Sequence, residues 1–433
     1  MQNKLISLSF IFLLAFASNA KGQKLVNSPY ARFNIGTIDP TGPFRSRAMG
    51  GSGVAMRDNT NIYFSNPASY SSLDTSSFLF DFAVDYSIMD LNDGKNKYRS
   101  DDMNFDHLVI AFPLAKGWGF AAGLTPVSNG YYSMAESVTA GDPGYDPSTG
   151  PVFITHTGAG GLNNLFVGTG INITKNFSAG INMNVLFGEL SRVNQFQFAD
   201  YANTFGQFNS ERLKINGINF DYGLQYRKTF KKDYFLTAGF SVTLAKKYRS
   251  ESEILYERFA SYATSLYSPD TLYYSKANSR DSTRFPTTFR FGLAFGKKDK
   301  FVAEVDYVYS NWASAKIQES SPNYLANSST LSFGVELIPD KYSNYSYLSR
   351  QEYRLGGHIG NDYLTFNGAR IKEYGVSCGF AIRLKNFLSK TNVYFDFTRK
   401  TGDLSSGLHN ENIYSIGVSL NLYDQWFQKH KFE

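Results

Sequence analysis

The chain has 433 residues, a formal net charge of +6, 16% aromatic residues and one cysteine, Cys378. A single cysteine excludes an intramolecular disulfide framework and cysteine-based metal clusters. Lys and Arg are scattered apart from pairs such as Lys231-Lys232 and Lys297-Lys298, so the basic balance reads as solvated turn charge and no nucleic-acid partner is expected.

At the start, Lys4 precedes an apolar run from Leu5 to Phe16 and the small residues Ala17, Ser18 and Ala20. This is the layout of a secretory signal peptide over 1–22, with cleavage expected after Ala20 or Gly22. The run is shorter than the roughly 20 residues of a membrane helix, and no cysteine near the cleavage site invites a lipid anchor. Residues 23–75 differ from everything after them. Pro29, Pro40, Pro43 and Pro67, with Gly36, Gly42, Gly50, Gly51 and Gly53, break any long strand. Phe33, Ile35, Phe44, Met49, Val54, Met56, Ile62, Tyr63 and Phe64 are too many apolar residues for a solvated linker. The expectation is a compact, irregular plug that must be buried.

From 76 to 423 the dominant signal is alternation with period two. In 289–296, Phe289, Phe291, Leu293 and Phe295 share one face, and Arg290, Gly292, Ala294 and Gly296 the other. The runs 234–244, 374–384 and 414–422 repeat it, with small residues opposite large apolar ones. One such strand fits a soluble sandwich equally well. About fourteen of them, each able to cross a bilayer at ~9–11 residues, fit a barrel better. They fall near 76–88, 103–114, 117–130, 160–173, 176–191, 212–229, 233–248, 284–296, 300–312, 328–338, 351–360, 372–385, 390–400 and 410–422. Tight turns at Ala115-Lys116-Gly117, Thr174-Lys175-Asn176, Lys231-Lys232-Asp233 and Lys297-Lys298-Asp299 alternate with polar stretches at 131–159, 192–211, 249–283 and 313–327.

Short turns at one end and long loops at the other are what an up-and-down membrane barrel requires. The expected fold is therefore all-β: a transmembrane antiparallel up-and-down β-barrel in the outer membrane, with the N-terminal unit inside its lumen. Closure is obligatory, because hydrocarbon offers no partner to an open strand edge. The 38 Phe and 30 Tyr suit the aromatic girdles of such a barrel. An even strand number puts both ends on the periplasmic side, and 424–433, with Trp426 and Phe427, reads as a periplasmic extension.

Ionisable residues on the expected inward faces include Arg290, Glu304, Asp306, Glu336, Arg354, His358 and Arg383. Pairing across the lumen, which would also hold the plug, is the expected role, since Lys or Arg facing lipid costs ~2–4 kcal/mol at mid-bilayer. The five histidines have no metal-ligand spacing, and neither a nucleophile elbow nor a phosphate loop appears. No enzyme, metal or cofactor is expected.

Two passages carry a family resemblance. Arg47-Ala48-Met49-Gly50-Gly51-Ser52-Gly53-Val54-Ala55-Met56-Arg57-Asp58, followed by Asn66-Pro67-Ala68-Ser69, resembles the N-terminal hatch of the FadL-type outer-membrane transporters of long-chain fatty acids and aromatic hydrocarbons. The resemblance is sharp over 45–72 and architectural beyond. It implies a fourteen-stranded barrel plugged by a hatch, with Gly50, Gly51 and Gly53 shaping its turns and Asn66, Pro67 and Ala68 its fold. The second passage is 117–130, where Pro126, between Gly123 and Gly130, interrupts the expected third strand. Proline cannot donate to the ladder, so a bulge or gap is expected. The resemblance gives that defect a use as a side window through which an apolar substrate leaves into the membrane. Alternatively, Pro126 simply ends the strand at the rim.

The resemblance thus implies uptake of hydrophobic small molecules, with membrane lipids and an apolar substrate as partners. A rival of another class is a protein-binding barrel: FadL-type barrels also serve as shuttles or accessory subunits in protein export or assembly, and the partner would then be another outer-membrane protein.

Overall fold

The computed structural model describes residues 28–425 apart from 93, 95, 200–204, 232, 263–264, 267–269, 318–323, 367, 384–387 and 407. The expected signal peptide with its cleavage sites, and 426–433 of the expected extension, lie outside the described residues. Fourteen antiparallel strands form the wall. They are β1 (Ser77–Asn92), β2 (Lys97–Ala115), β3 in two parts (Trp118–Asn129 and Tyr132–Val138), β4 (Val152–Asn172), β5 (Phe177–Phe198) and β6 (Phe205–Phe230). Next come β7 (Tyr234–Thr243 and Lys246–Tyr262), β8 (Asp270–Phe285 and Thr288–Lys297), β9 (Phe301–Ser310) and β10 (Ser328–Leu337). The circuit ends with β11 (Glu352–Phe366), β12 (Ala369–Arg383), β13 (Lys390–Thr401) and β14 (Asn410–Gln425). β14 pairs with β1 from Asn410 opposite Asn92 to Gln425 opposite Ser77, which closes the ring.

The period-two pattern decides which side each residue faces. On β10, Leu331, Phe333, Val335 and Leu337 point outward and are exposed, while Ser332 and Glu336 between them are buried inside. Phe291, Leu293 and Phe295 do the same on β8, with Ala294 buried behind them. An outer surface this apolar is unfavourable in water at ~25 cal/mol per Å2 and favourable against lipid.

Three expectations are corrected. First, much of the polar stretches 131–159, 192–211 and 249–283 is strand rather than loop: β6 runs for 26 residues, against 10 for β10. The extra length is held by cross-strand pairs that need no lipid, such as Tyr256 with Tyr273, Lys276 with Glu251 and Arg212 with Glu189. Beyond the apolar band nothing selects for greasy outward residues, so these strands look like loops in sequence. Second, connection lengths alternate only in part. The link 338–351 at the turn end is long and contains a 3-10 turn at Leu348–Arg350, whereas the link 93–96 at the opposite end is short. Third, Asp424 and Gln425 continue β14, paired with Phe78 and Ser77, rather than opening an extension.

The segment from Ser28 to Ser76 lies within the ring. Its local structure is a 3-10 turn at Pro29–Arg32, a two-residue strand at Thr37–Ile38, one α-turn at Phe44–Arg47 and a 3-10 helix at Pro67–Ser72. Phe44, Ala48, Met49, Ile62, Tyr63 and Tyr70 are all but inaccessible to water.

Candidate functional site

The interior is where the segment meets the wall, and charge fixes one side of it. Arg45 donates through Nε and Nη2 to Glu336 of β10 at 2.8 and 2.6 Å, and through Nη1 to Asp58 at 2.7 Å. Glu336 also takes Nε of Arg354 on β11 at 2.7 Å. Arg354 passes on to Glu352, which further accepts Arg383 of β12 at 2.6 Å and Lys390 of β13 at 2.7 Å. Lys390 returns to the segment by donating to Thr60 at 3.1 Å. The buried charges are thus paired and hydrogen-bonded, the condition under which burial is tolerable. Burial opposes ionisation of Asp58, but Arg45 and Lys390 outweigh it and hold its carboxyl well below the usual carboxylate range.

Beside this network, two carboxylates grip backbone instead of cations. Asp306 of β9 accepts the Gly53 and Val54 N–H groups at 2.7 and 2.9 Å, and Glu304 accepts that of Ala55 at 2.7 Å. Gly50 has a φ of +72° and sits against the backbone of Gly357, so it admits no side chain on either count. Asn66 caps the 3-10 helix by accepting from Ala68 N–H at 3.2 Å, and its amide donates to the Val54 carbonyl at 2.8 Å. Pro67 follows at the first helical position, where a missing N–H costs nothing. The inward glycines of the wall are contact points, not free space. A Cβ at Gly119, Gly170, Gly223, Gly239, Gly334 or Gly356 would overlap Tyr70, Pro67, Asn66, Val54 or Met49 of the segment.

The opposite side is built differently. The β2–β3 ladder ends at Leu108 opposite Leu124, and among the described residues the two strands share no rung above it. Pro126 lies two residues on, where the register of β3 against β4 shifts. The strand does not end there: it runs to Asn129 and resumes at Tyr132. Pro126 therefore interrupts β3 without ending it. Gly123 is on the last shared rungs, and Gly130 lies in the break, donating its N–H to Gly160 at 2.9 Å.

Where the ladder stops, the segment steps in. Thr37 and Ile38 pair with Asn129 and Ser128 of β3, and Asp39 N–H donates to the Val127 carbonyl at 3.0 Å. On the β2 side a bulge turns both Asp106 and His107 inward. Asp106 is paired with Arg47 of the segment and lies 2.5 Å from His107 Nδ1, whose other nitrogen is 3.5 Å from Asp81. Above these contacts, Trp312, Ile317, Tyr363, Leu364 and Leu408 form one cluster with Tyr30 and Ile35.

Among the interior residues expected from sequence, Glu336, Arg354 and Arg383 join one network, and Glu304 and Asp306 hold backbone. Arg290 is elsewhere, donating to Thr243 at 3.0 Å, and His358 pairs with Glu373 at 3.1 Å. Arg45, Asp106, Glu352 and Lys390 were not singled out by sequence, and Arg47 only as the first residue of the hatch-like run. Two arginines flanking Ser46 within the apolar stretch Phe44–Met49 are the signal that buried acceptors awaited them.

A closed antiparallel barrel of fourteen strands is the fold that this chain shares with FadL-like barrels. Solved structures agree at the level of fold. The Ralstonia pickettii toluene transporter TbuX is 14% identical, with 89% of this chain and 99% of that chain covered at a TM-score of 0.55. The P. putida toluene transporter TodX is 14% identical, covering 89% and 98% at 0.57. A Pseudomonas aeruginosa FadL homologue is 12% identical, covering 90% and 99% at 0.57. The chain itself belongs to the BamG family, which it matches over residues 1–433. No curated protein matches it.

Proposed function

We propose that this chain is a sealed outer-membrane barrel that serves as a protein-binding accessory subunit of an outer-membrane protein export or assembly complex. One observation carries the reading: the upper lumen is filled by the chain's own side chains. Trp312, Tyr363 and Leu364 pack on Tyr30 and Ile35, and the segment is tied there by Ser28 to Glu411 at 2.6 Å and Tyr30 to the His409 carbonyl at 2.7 Å. A passing solute would have to displace this core, at roughly 1.5–3 kcal/mol for each large side chain exposed. Membership of the BamG family supports the same reading, while the likeness to the hydrocarbon transporters is one of fold. In it, residues 28–76 are a permanent hatch.

The test is purification of the tagged protein from cell envelopes in mild detergent, beside uptake of labelled fatty acid by liposomes containing it. The expected result is stoichiometric co-purification of another outer-membrane protein, with uptake no faster than in protein-free liposomes. Uptake that disappears in Pro126→Ala, without a co-purifying partner, would overturn it.

The second reading is an uptake channel for long-chain fatty-acid-like molecules, and the interrupted β2–β3 wall favours it. There the hatch moves through Gly50, Gly51 and Gly53 while Asn66, Pro67 and Ala68 keep its fold. Substrate then leaves sideways past Gly123, Pro126 and Gly130 into the lipid.

A further inference from the structure

We infer that the slot between β2 and β3 is a docking site for an extended polypeptide strand carrying a basic side chain, and that this chain's own residues 37–47 occupy it in the unbound state. The natural occupant rests on the accessory-subunit reading; the slot rests on geometry. Had the ladder continued past Leu108 and Leu124, Asp106 would have faced Pro126. Proline has no N–H to give, and the bulge at Asp106 takes that stretch of β2 out of regular pairing. The two strands then part.

What sits in the slot shows what it accepts. The rungs Thr37–Asn129 and Ile38–Ser128, the Asp39 N–H to Val127 and the Thr37 hydroxyl to the Asn129 carbonyl at 3.2 Å are all contacts to the backbone of β3. Backbone pairing of this kind is indifferent to sequence, and any extended chain can supply it. An acyl chain could satisfy none of these groups. The other edge adds selectivity. Asp106 pairs with Arg47, while Asp85 of β1 lies in the field of the same guanidinium. An incoming strand that brings no cation opposite Asp106 leaves this buried carboxylate with His107 as its remaining partner. The resident strand is only two residues long, so an exchanging strand has little pairing to displace.

The probe is a fluorescent peptide of residues 33–47, added to the detergent-purified full-length protein and followed by anisotropy. Arg47→Ala should bind it about tenfold more tightly than the unchanged protein, because the resident cation no longer competes. The same peptide with Glu in place of its last Arg should show no such gain. Thr37→Cys with Asn129→Cys, in a Cys378→Ala background, locks the resident strand on oxidation; binding should fall to that of a scrambled peptide and return on reduction. Asp106→Asn guards against a folding artefact: it should also loosen the resident strand, yet lose the preference for a basic peptide, while the barrel keeps its heat-modifiable migration on gels. Equal binding to locked and reduced protein would overturn the slot. A partner that co-purifies equally with both would place docking elsewhere while leaving the accessory-subunit reading intact. Peptide exchange with no co-purifying partner would sink that reading and leave the slot.

Discussion

The same N-terminal segment is held in two ways on its two sides. Toward β10–β13 it is fixed by a chain of buried ion pairs running from Asp58 through Arg45, Glu336, Arg354 and Glu352 to Lys390. Toward β2 and β3 it is fixed by two strand rungs, a few hydrogen bonds and one ion pair. Both sides exclude water, but they differ in what a local opening would strand. Opening the first leaves several charges without partners; opening the second exposes backbone groups and a single pair. A local opening on the slot side therefore strands less charge than one on the network side.

Breaking the network should have the largest effect. Glu336→Ala leaves Arg45 and Arg354 without their shared acceptor, at about 3–5 kcal/mol, read as a lower midpoint in denaturant titration. Next is steric exclusion. Gly356→Val drives a side chain into the Met49 backbone, at about 1–3 kcal/mol of overpacking; the ring should still close, and limited proteolysis should begin to cut within 28–76. The third test is titration. Because the Asp58 carboxyl is held low in the folded protein, its contribution is complete above the unfolded value of ~3.9. It is lost as pH falls below that value toward the folded one. Protease sensitivity of the segment should rise over that acid range, and the part due to Asp58 should be missing from Asp58→Asn. The smallest effect belongs to the slot side. Asp39→Pro removes the N–H given to Val127 and should cost ~0.5–1.5 kcal/mol, seen as faster amide exchange at Thr37 and Ile38 with an unchanged global midpoint.

The wall was legible in the sequence because lipid on one side and an enclosed interior on the other impose a period of two, and the glycines opposite Phe291 and Phe333 kept that period where the segment needed room. It was illegible wherever that constraint lapsed. Above the apolar band, β6, β7 and β8 alternate among polar residues, and their length was read as loop. At Asp106 a bulge brings two consecutive polar residues inside, which no periodic pattern announces. The interior was half legible. Glu336 and Arg354 could be placed on inward faces, and their pairing followed. Glu304 and Asp306 were placed equally well, but their partners are N–H groups of Gly53, Val54 and Ala55, and backbone donors leave no mark on residue type. Arg290 had the right face and met a hydroxyl instead of a carboxylate.

The unequal strand lengths have a mechanical side. β6 exceeds β10 by roughly 16 residues, which at ~3.3 Å per residue and a tilt of ~40° carries the end of one strand about 40 Å beyond that of the other. The end strand of this tall side is the upper part of β3, which continues through Gly130 and Tyr131 into the stretch that pairs with Thr37 and Ile38, so one backbone joins the summit to the edge of the slot.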